Sequence, residues 1–223
     1  KEKIIDYAVQ DDKKLLMAMK SIEFVEELST NSPAPGGGSV SALAGSLGAA
    51  LSSMVAALTH EKKEMLELKP EMDHIGIEAQ LLKDRLVFLV DEDTRAFNNV
   101  LDANRLLATT QEEKKAKSEA INYANKYAIE VPFETGRLCF QVIELAEILV
   151  EKGNPNSISD AGVAAELALA GVKGACMNVL INLSNVNNVA YCDDKRKSVK
   201  SLVSKANSLV QAIYEKTIDK IES

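Results

Sequence analysis

The chain has no tryptophan, and aromatic residues make up only 4% of its 223 positions. Histidine is almost as scarce, with only His60 and His74. The two have no i, i+4 relation, so neither a histidine-based metal centre nor a Ser-His-Asp triad is supported. The three cysteines, Cys139, Cys176 and Cys192, are odd in number, widely spaced and without a CxxC pair. That excludes a disulfide framework and predicts a reducing, cytoplasmic compartment with no secretory signal. Acidic residues outnumber basic ones, 33 to 26, and the net charge is −7. The basic side chains are scattered, not gathered into a stripe, which argues against a nucleic-acid partner. Few β-branched residues alternate with polar ones, so no sheet is expected. What remains is a 46% hydrophobic chain without a compositional boundary, read as one domain over residues 1–223.

Long stretches of Ala, Leu, Glu and Lys predict an all-α bundle of about six helices. The first is expected over residues 11–27, with Leu15, Leu16, Met19, Ile22 and Val25 at helical spacing. A glycine-led second helix comes next, then a third over about 70–107 carrying Ile75, Leu82, Leu86, Val90, Phe97 and Val100 on its apolar side. The fourth covers 111–152 and is interrupted at Pro132, which cannot donate to the Ala128 carbonyl and must kink the helix or begin a new one. After the turn Gly153-Asn154-Pro155-Asn156-Ser157, a fifth helix runs to about 183 and a sixth from about 193 to 221.

The densest local signal is Pro33-Ala34-Pro35-Gly36-Gly37-Gly38-Ser39, which leads into residues 40–59, a run free of charge. Prolines stop a preceding helix, the glycines permit close backbone approaches, and Ser39 or Ser41 can cap the second helix. Free N–H groups and the helix dipole there favour a negative ligand group, although the same residues also serve as a plain tight turn. No Gly-Lys-Ser/Thr comes after the glycines, so this is not a P-loop. The run is long enough to cross a bilayer, but Ser41, Ser46, Ser52, Ser53, Gly45 and Gly48 make it too weakly hydrophobic for lipid. Small residues on all sides suit a central helix closely approached by its neighbours, within a soluble bundle or at a subunit interface.

Two carboxylates stand out. Asp93 lies at i+4 from Leu89 and i−4 from Phe97, inside the apolar stripe of the third helix, whereas Asp91 points elsewhere and can pair with Arg95. A carboxylate among apolar side chains either finds a hydrogen-bonding partner or has its pKa raised, and a raised pKa suits a general acid or base. Asp160 falls in the first turn of the fifth helix, where its charge is also favourable for purely structural reasons. Asn178 and Asn182 lie near the same face as Asp160, but Asn178 is about 27 Å further along the axis. Only two chains packed together can bring Asp160 and Asn178 near one site.

Taken in order, Pro35-Gly36-Gly37-Gly38-Ser39-Val40, Leu51-Ser52-Ser53-Met54-Val55, Val90-Asp91-Glu92-Asp93 with Ala96-Phe97, Val131-Pro132, Gly153-Asn154 with Ser159-Asp160, and Asn178-Val179-Leu180-Ile181-Asn182-Leu183 resemble the cyclodeaminase domain of formimidoyltransferase-cyclodeaminase. Even Ile4-Ile5-Asp6-Tyr7 is similar to the segment that joins the transferase domain to it, which makes residues 1–10 a linker from an upstream formimidoyltransferase domain. The resemblance implies an all-α homodimer, or a higher oligomer, with reduced-folate sites at the subunit interface, the folate with or without a polyglutamate tail. It implies no metal or nucleotide, and no cofactor beyond the tetrahydrofolate substrate, while charge and composition already argue against nucleic acid and membrane. It further implies that Asp93 and Asp160 are catalytic and that Gly36, Gly37, Gly38, Ser39 and Asn178 bind substrate. Methenyltetrahydrofolate cyclohydrolases share the fold family, so that reaction is the alternative, and a non-catalytic helical dimerisation module is the reading from another class.

Overall fold

The computed structural model describes residues 15–223, and the linker reading of 1–10, the segment at 4–7 and the start of the expected first helix lie outside them. Among the described residues there are six α-helices and no strand: α1 (Ser21–Leu28), α2 (Gly37–His60), α3 (Lys69–Arg105), α4 (Gln111–Lys152), α5 (Ile158–Asn182) and α6 (Val189–Glu222). The expected all-α architecture is observed.

α2 occupies the centre and packs on α3, α4 and α5. It runs antiparallel to α3, since Ser39 meets Val90 near one end and His60 meets Asp73 near the other. It also runs antiparallel to α5, with Gly37 beside Asn178 and Gly48 beside Ala164. Small residues make this density possible. A Cβ added at Gly48 would fall 2.7 Å from the Ala164 carbonyl oxygen, and one at Gly45 would fall 2.3 Å from Cys139 Sγ. The uncharged run is therefore a packed central helix, as its composition suggested. α2 and Pro155–Asn185 are long and apolar enough to cross a membrane by composition alone, but half of the most apolar stretch of each is buried inside the bundle.

Three local expectations are corrected. The first concerns α1, which begins only at Ser21, after a 3-10 turn at Leu16–Ala18 and extended Met19 and Lys20. The restart shifts the phase, so Phe24 is buried while Ile22 and Val25 are exposed. Leu16, which is buried, donates its N–H to Asp91 Oδ1 and ties this turn to α3. Second, neither serine caps α2: Gly36 is the cap residue without a side-chain bond, and Ser41 Oγ donates back to the Gly37 carbonyl at 2.6 Å. Third, α6 starts at Val189, four residues before the expected 193, because Asn188 Oδ1 accepts from Tyr191 N at 3.0 Å and caps it.

α4 continues through Pro132 and no new helix begins there. Its start is fixed by a capping box, with Thr110 Oγ1 accepting from Glu113 N and the Glu113 carboxylate accepting from Thr110 N. The Ala128 carbonyl that Pro132 cannot serve accepts instead from Asn182 Nδ2, 2.7 Å away on α5. A side chain from a neighbouring helix has replaced the missing backbone donor.

Candidate active site

A cleft of about 280 Å³ opens where the glycine turn, the second half of α3, the first half of α4 and the end of α5 meet. Gly36, Gly37 and Gly38 form one wall, Asp93, Ala96, Phe97 and Val100 another, and asparagines from α4 and α5 complete the lining. The first intrahelical bond of α2 is Val40 N to the Gly36 carbonyl, so the N–H groups of Gly37, Gly38 and Ser39 precede the ladder. The dipole end of the central helix thus opens onto the cleft.

Asp93 is half-buried and rests against that turn, so closely that a Cβ on Gly38 would lie 2.1 Å from its Oδ1. Ser39 Oγ donates to the Val90 carbonyl at 2.8 Å and lies 3.3 Å from Asp93 Oδ2, with Thr94 Oγ1 also at 3.3 Å. Burial pushes the Asp93 carboxyl above the ordinary range, and the Ser39 hydroxyl and backbone N–H oppose this without reversing it. The result is a carboxyl group that holds its proton more readily than a surface aspartate and faces a cavity.

Of the residues singled out in the sequence, Gly36, Gly37, Gly38, Asp93 and Asn178 come together in this cleft. Ser39 is fully buried and supports Asp93, instead of lining the space. Asp160 sits in the first turn of α5, at the opposite end of that helix from Asn178, and is half-buried outside the cleft. Sequence reasoning missed Asn125 and Asn185 in the wall, and did not foresee the bond from Asn182 to Ala128. The one available signal was Pro132, which required some donor for that carbonyl. It also missed Glu92, whose buried carboxylate accepts from the Tyr127 hydroxyl and from Arg95 while Asp91 receives Leu16 N–H. The Tyr127 hydroxyl is pushed up to about 12, by burial first and by Glu92 second. A wider groove of about 620 Å³ adjoins the cleft and shares Asn125 and Asn185 with it. Among the described residues, no three His, Cys, Asp or Glu side chains form a metal-holding group.

Several proteins of similar sequence and shape carry the names of folate enzymes. A chain described as methenyltetrahydrofolate cyclohydrolase from Methylorubrum extorquens is 38% identical over 198 residues, covering 89% of this chain and 95% of that one. Formimidoyltransferase-cyclodeaminase of Rattus norvegicus is 34% identical over 210 residues, 93% of this chain but 39% of the relative. The Gallus gallus protein of the same name is 34% identical over 221 residues, 97% of this chain and 41% of that one. The chain thus spans about two-fifths of the bifunctional relatives it matches. The crystal structure of formiminotetrahydrofolate cyclodeaminase from Thermotoga maritima superposes with a TM-score of 0.74 at 28% identity, over 92% of this chain and 96% of the other. With the profile of the formiminotransferase-cyclodeaminase family matching residues 20–201, the chain belongs to that family.

Proposed function

We infer that the chain is a formimidoyltetrahydrofolate cyclodeaminase, an ammonia lyase that turns 5-formimidoyltetrahydrofolate into 5,10-methenyltetrahydrofolate and ammonia. The observation that carries this reading is a half-buried carboxyl group, raised in pKa and held by Ser39, at the mouth of a helix dipole in a ring-sized cleft. The substrate enters as an amidinium on N5. N10 attacks the formimino carbon, a C–N10 bond forms, and the N10 proton passes to the Asp93 carboxylate. Asp93 then returns that proton to the departing nitrogen, the N5 lone pair re-forms the double bond, and the C–NH₃ bond breaks. The charge that began on the amidinium ends on the methenyl bridge, and Asp93 is again a carboxylate. Ring closure is intramolecular, so holding N5 and N10 in a reactive geometry supplies much of the acceleration. No metal, nucleotide or nicotinamide is required by this chemistry.

The 280 Å³ cleft fits the bicyclic ring, and the adjoining groove fits the remainder of a folate, with or without further glutamates. Asp160 reaches such a site only from a second protomer, which the reading supplies as a homodimer. The work is assigned to the cytoplasm, in histidine degradation and one-carbon metabolism, with no membrane or nucleic acid involved and with a transferase domain as a natural companion.

The similarity over 95% of a protein described as a methenyltetrahydrofolate cyclohydrolase supports a second reading. Here water adds to the methenyl carbon and Asp93 takes one of its protons; Asp93 returns that proton to N5 as the C–N5 bond breaks, and the remaining hydroxyl proton leaves to solvent as the carbonyl of 10-formyltetrahydrofolate forms. One assay separates the two. Supplied with 5-formimidoyltetrahydrofolate, the protein is expected to release ammonia and build the methenyl chromophore at a rate chelators leave unchanged. No ammonia, but interconversion of methenyl- and 10-formyltetrahydrofolate, would replace the first reading by the second. Neither turnover nor folate binding would leave a helical dimerisation module.

A further inference from the structure

Three asparagines in the cleft wall share one arrangement. Asn125 Nδ2 donates to the Asn185 carbonyl at 2.9 Å, Asn178 Nδ2 to the Gly174 carbonyl at 2.9 Å, and Asn182 Nδ2 to the Ala128 carbonyl at 2.7 Å. Only the NH₂ end of an amide can face a carbonyl oxygen, so each bond sets which way that amide points. No described residue donates to the three Oδ1 atoms. Among the described residues no buried side-chain oxygen or nitrogen is left without a partner, so these oxygens reach open space; all three residues line the cleft, and Asn125 lines the adjoining groove as well.

A fourth acceptor comes from the backbone. Pro132 has no N–H, so the Ala128 carbonyl in the cleft wall has no helical donor. Asn182 occupies one of its two lone pairs and leaves the other. The α4 and α5 side of the cleft therefore presents acceptors, three amide oxygens and a helix carbonyl, in positions fixed by the bonds that the asparagines donate.

A wall of fixed acceptors selects a flat ligand edge that carries adjacent N–H donors. We propose that Asn125, Asn178 and Asn182 determine specificity for the 2-amino-4-oxopyrimidine edge of the substrate's pterin ring, with Asn182 also positioning the Ala128 carbonyl toward it. This rests on the reduced-folate reading and adds the end of the ligand that is read. N3–H and the 2-amino group are neighbouring donors on one edge, and a ligand that lacks the amino group leaves acceptors desolvated and unpaired. Rejection of such an analogue is then built into the wall without any steric barrier.

The test is calorimetric titration of the protein with pterin and with pteridin-4-one, which lacks only the 2-amino group. The wild-type chain is expected to bind pterin about tenfold more tightly or better. Asn182→Ala and Asn178→Ala are each expected to weaken pterin binding about fivefold to tenfold while leaving pteridin-4-one within about twofold. Equal wild-type affinity for both ligands, or variants that weaken both alike, would overturn the proposal. If Asn182→Ala does not fold, Asn178→Ala carries the test, because its amide serves a carbonyl already in the helix ladder. A wild-type protein that discriminates between the ligands but catalyses neither folate reaction would uphold this recognition and remove the proposed function. One that turns over folates without discriminating would do the reverse.

Discussion

Asp93 carries opposing demands within a single side chain. Its burial, which raises the pKa, means that the folded state binds the proton more tightly than the unfolded chain does. The associated stability is fully present below the unfolded pKa and is lost as the pH rises through the folded one. At neutral pH the ionised carboxylate is therefore a liability to the fold and an asset to proton transfer. Asp93→Asn keeps the size and an oxygen for Ser39 but removes the titrating proton. It is expected to melt above wild type at neutral pH, with the gap closing on acidification through the upper carboxylate range. Its turnover is expected to fall on the order of 10² or more, the usual scale for loss of a general acid or base. Melting curves across pH together with steady-state rates check both; near-wild-type turnover in the folded variant would make Asp93 structural.

At the scale of elements, the glycines of α2 decide how closely its partners approach. The neighbour at Gly48 is the backbone carbonyl of Ala164, 2.7 Å from where a Cβ would stand, and a carbonyl inside α5 cannot rotate away. Gly48→Ala should separate α2 from α5 and cost about 1 to 3 kcal/mol, the range for overpacking a dense core. Alanine has the better helix propensity by about 1 kcal/mol, so an increase in stability would mean that the two helices are not held this close. Urea denaturation of the two proteins gives the sign. The same tight seam brings the end of α5, and with it Asn178 and Asn182, to the N-terminus of α2.

For the whole molecule, the surface of the bundle is unusually apolar on α2, where Val40, Leu47, Met54 and Leu58 are exposed at spacings of seven, seven and four residues. These fall on one stripe of the helix. Ile77, Leu81 and Phe88 form a similar exposed stripe on α3, and Met177, Leu180 and Ile181 add to it on α5. Apolar stripes on several helices of one chain support a stable homodimer with a large interface. Light scattering at micromolar concentration is expected to return twice the chain mass, and a well-folded monomer would remove the shared-site arrangement. Asp160 supplies a linked check. Charge in a first helical turn contributes only about 0.3 to 1 kcal/mol to stability, so Asp160→Asn should shift the melting point little. If a partner brings it to the folate, affinity by titration should weaken by a larger factor than stability changes; unchanged affinity would leave it a helix-dipole residue.

What the amino-acid sequence determined by itself rests on short-range physics. Helical spacing together with prolines and turn residues placed α3 to α5 nearly at their observed bounds and put Asp93 in the apolar stripe of α3. Backbone sterics marked the glycine turn as the open start of a buried helix, and Pro132 announced a carbonyl in need of a donor. The tertiary structure alone decided which groups met those needs. Ser39 reaches Val90 across 51 residues and Asn182 reaches Ala128 across 54, and no local pattern encodes either pairing. Across the break before α1, Leu16 is buried as the spacing expected, but Phe24 is buried in place of Ile22 and Val25, and the Leu16 N–H bond to Asp91 ties the segment to α3. Asp160 and Asn178 share a helical face, but the length of α5 separates them, because periodicity reports direction around an axis and says nothing of which residues the packed helices bring together.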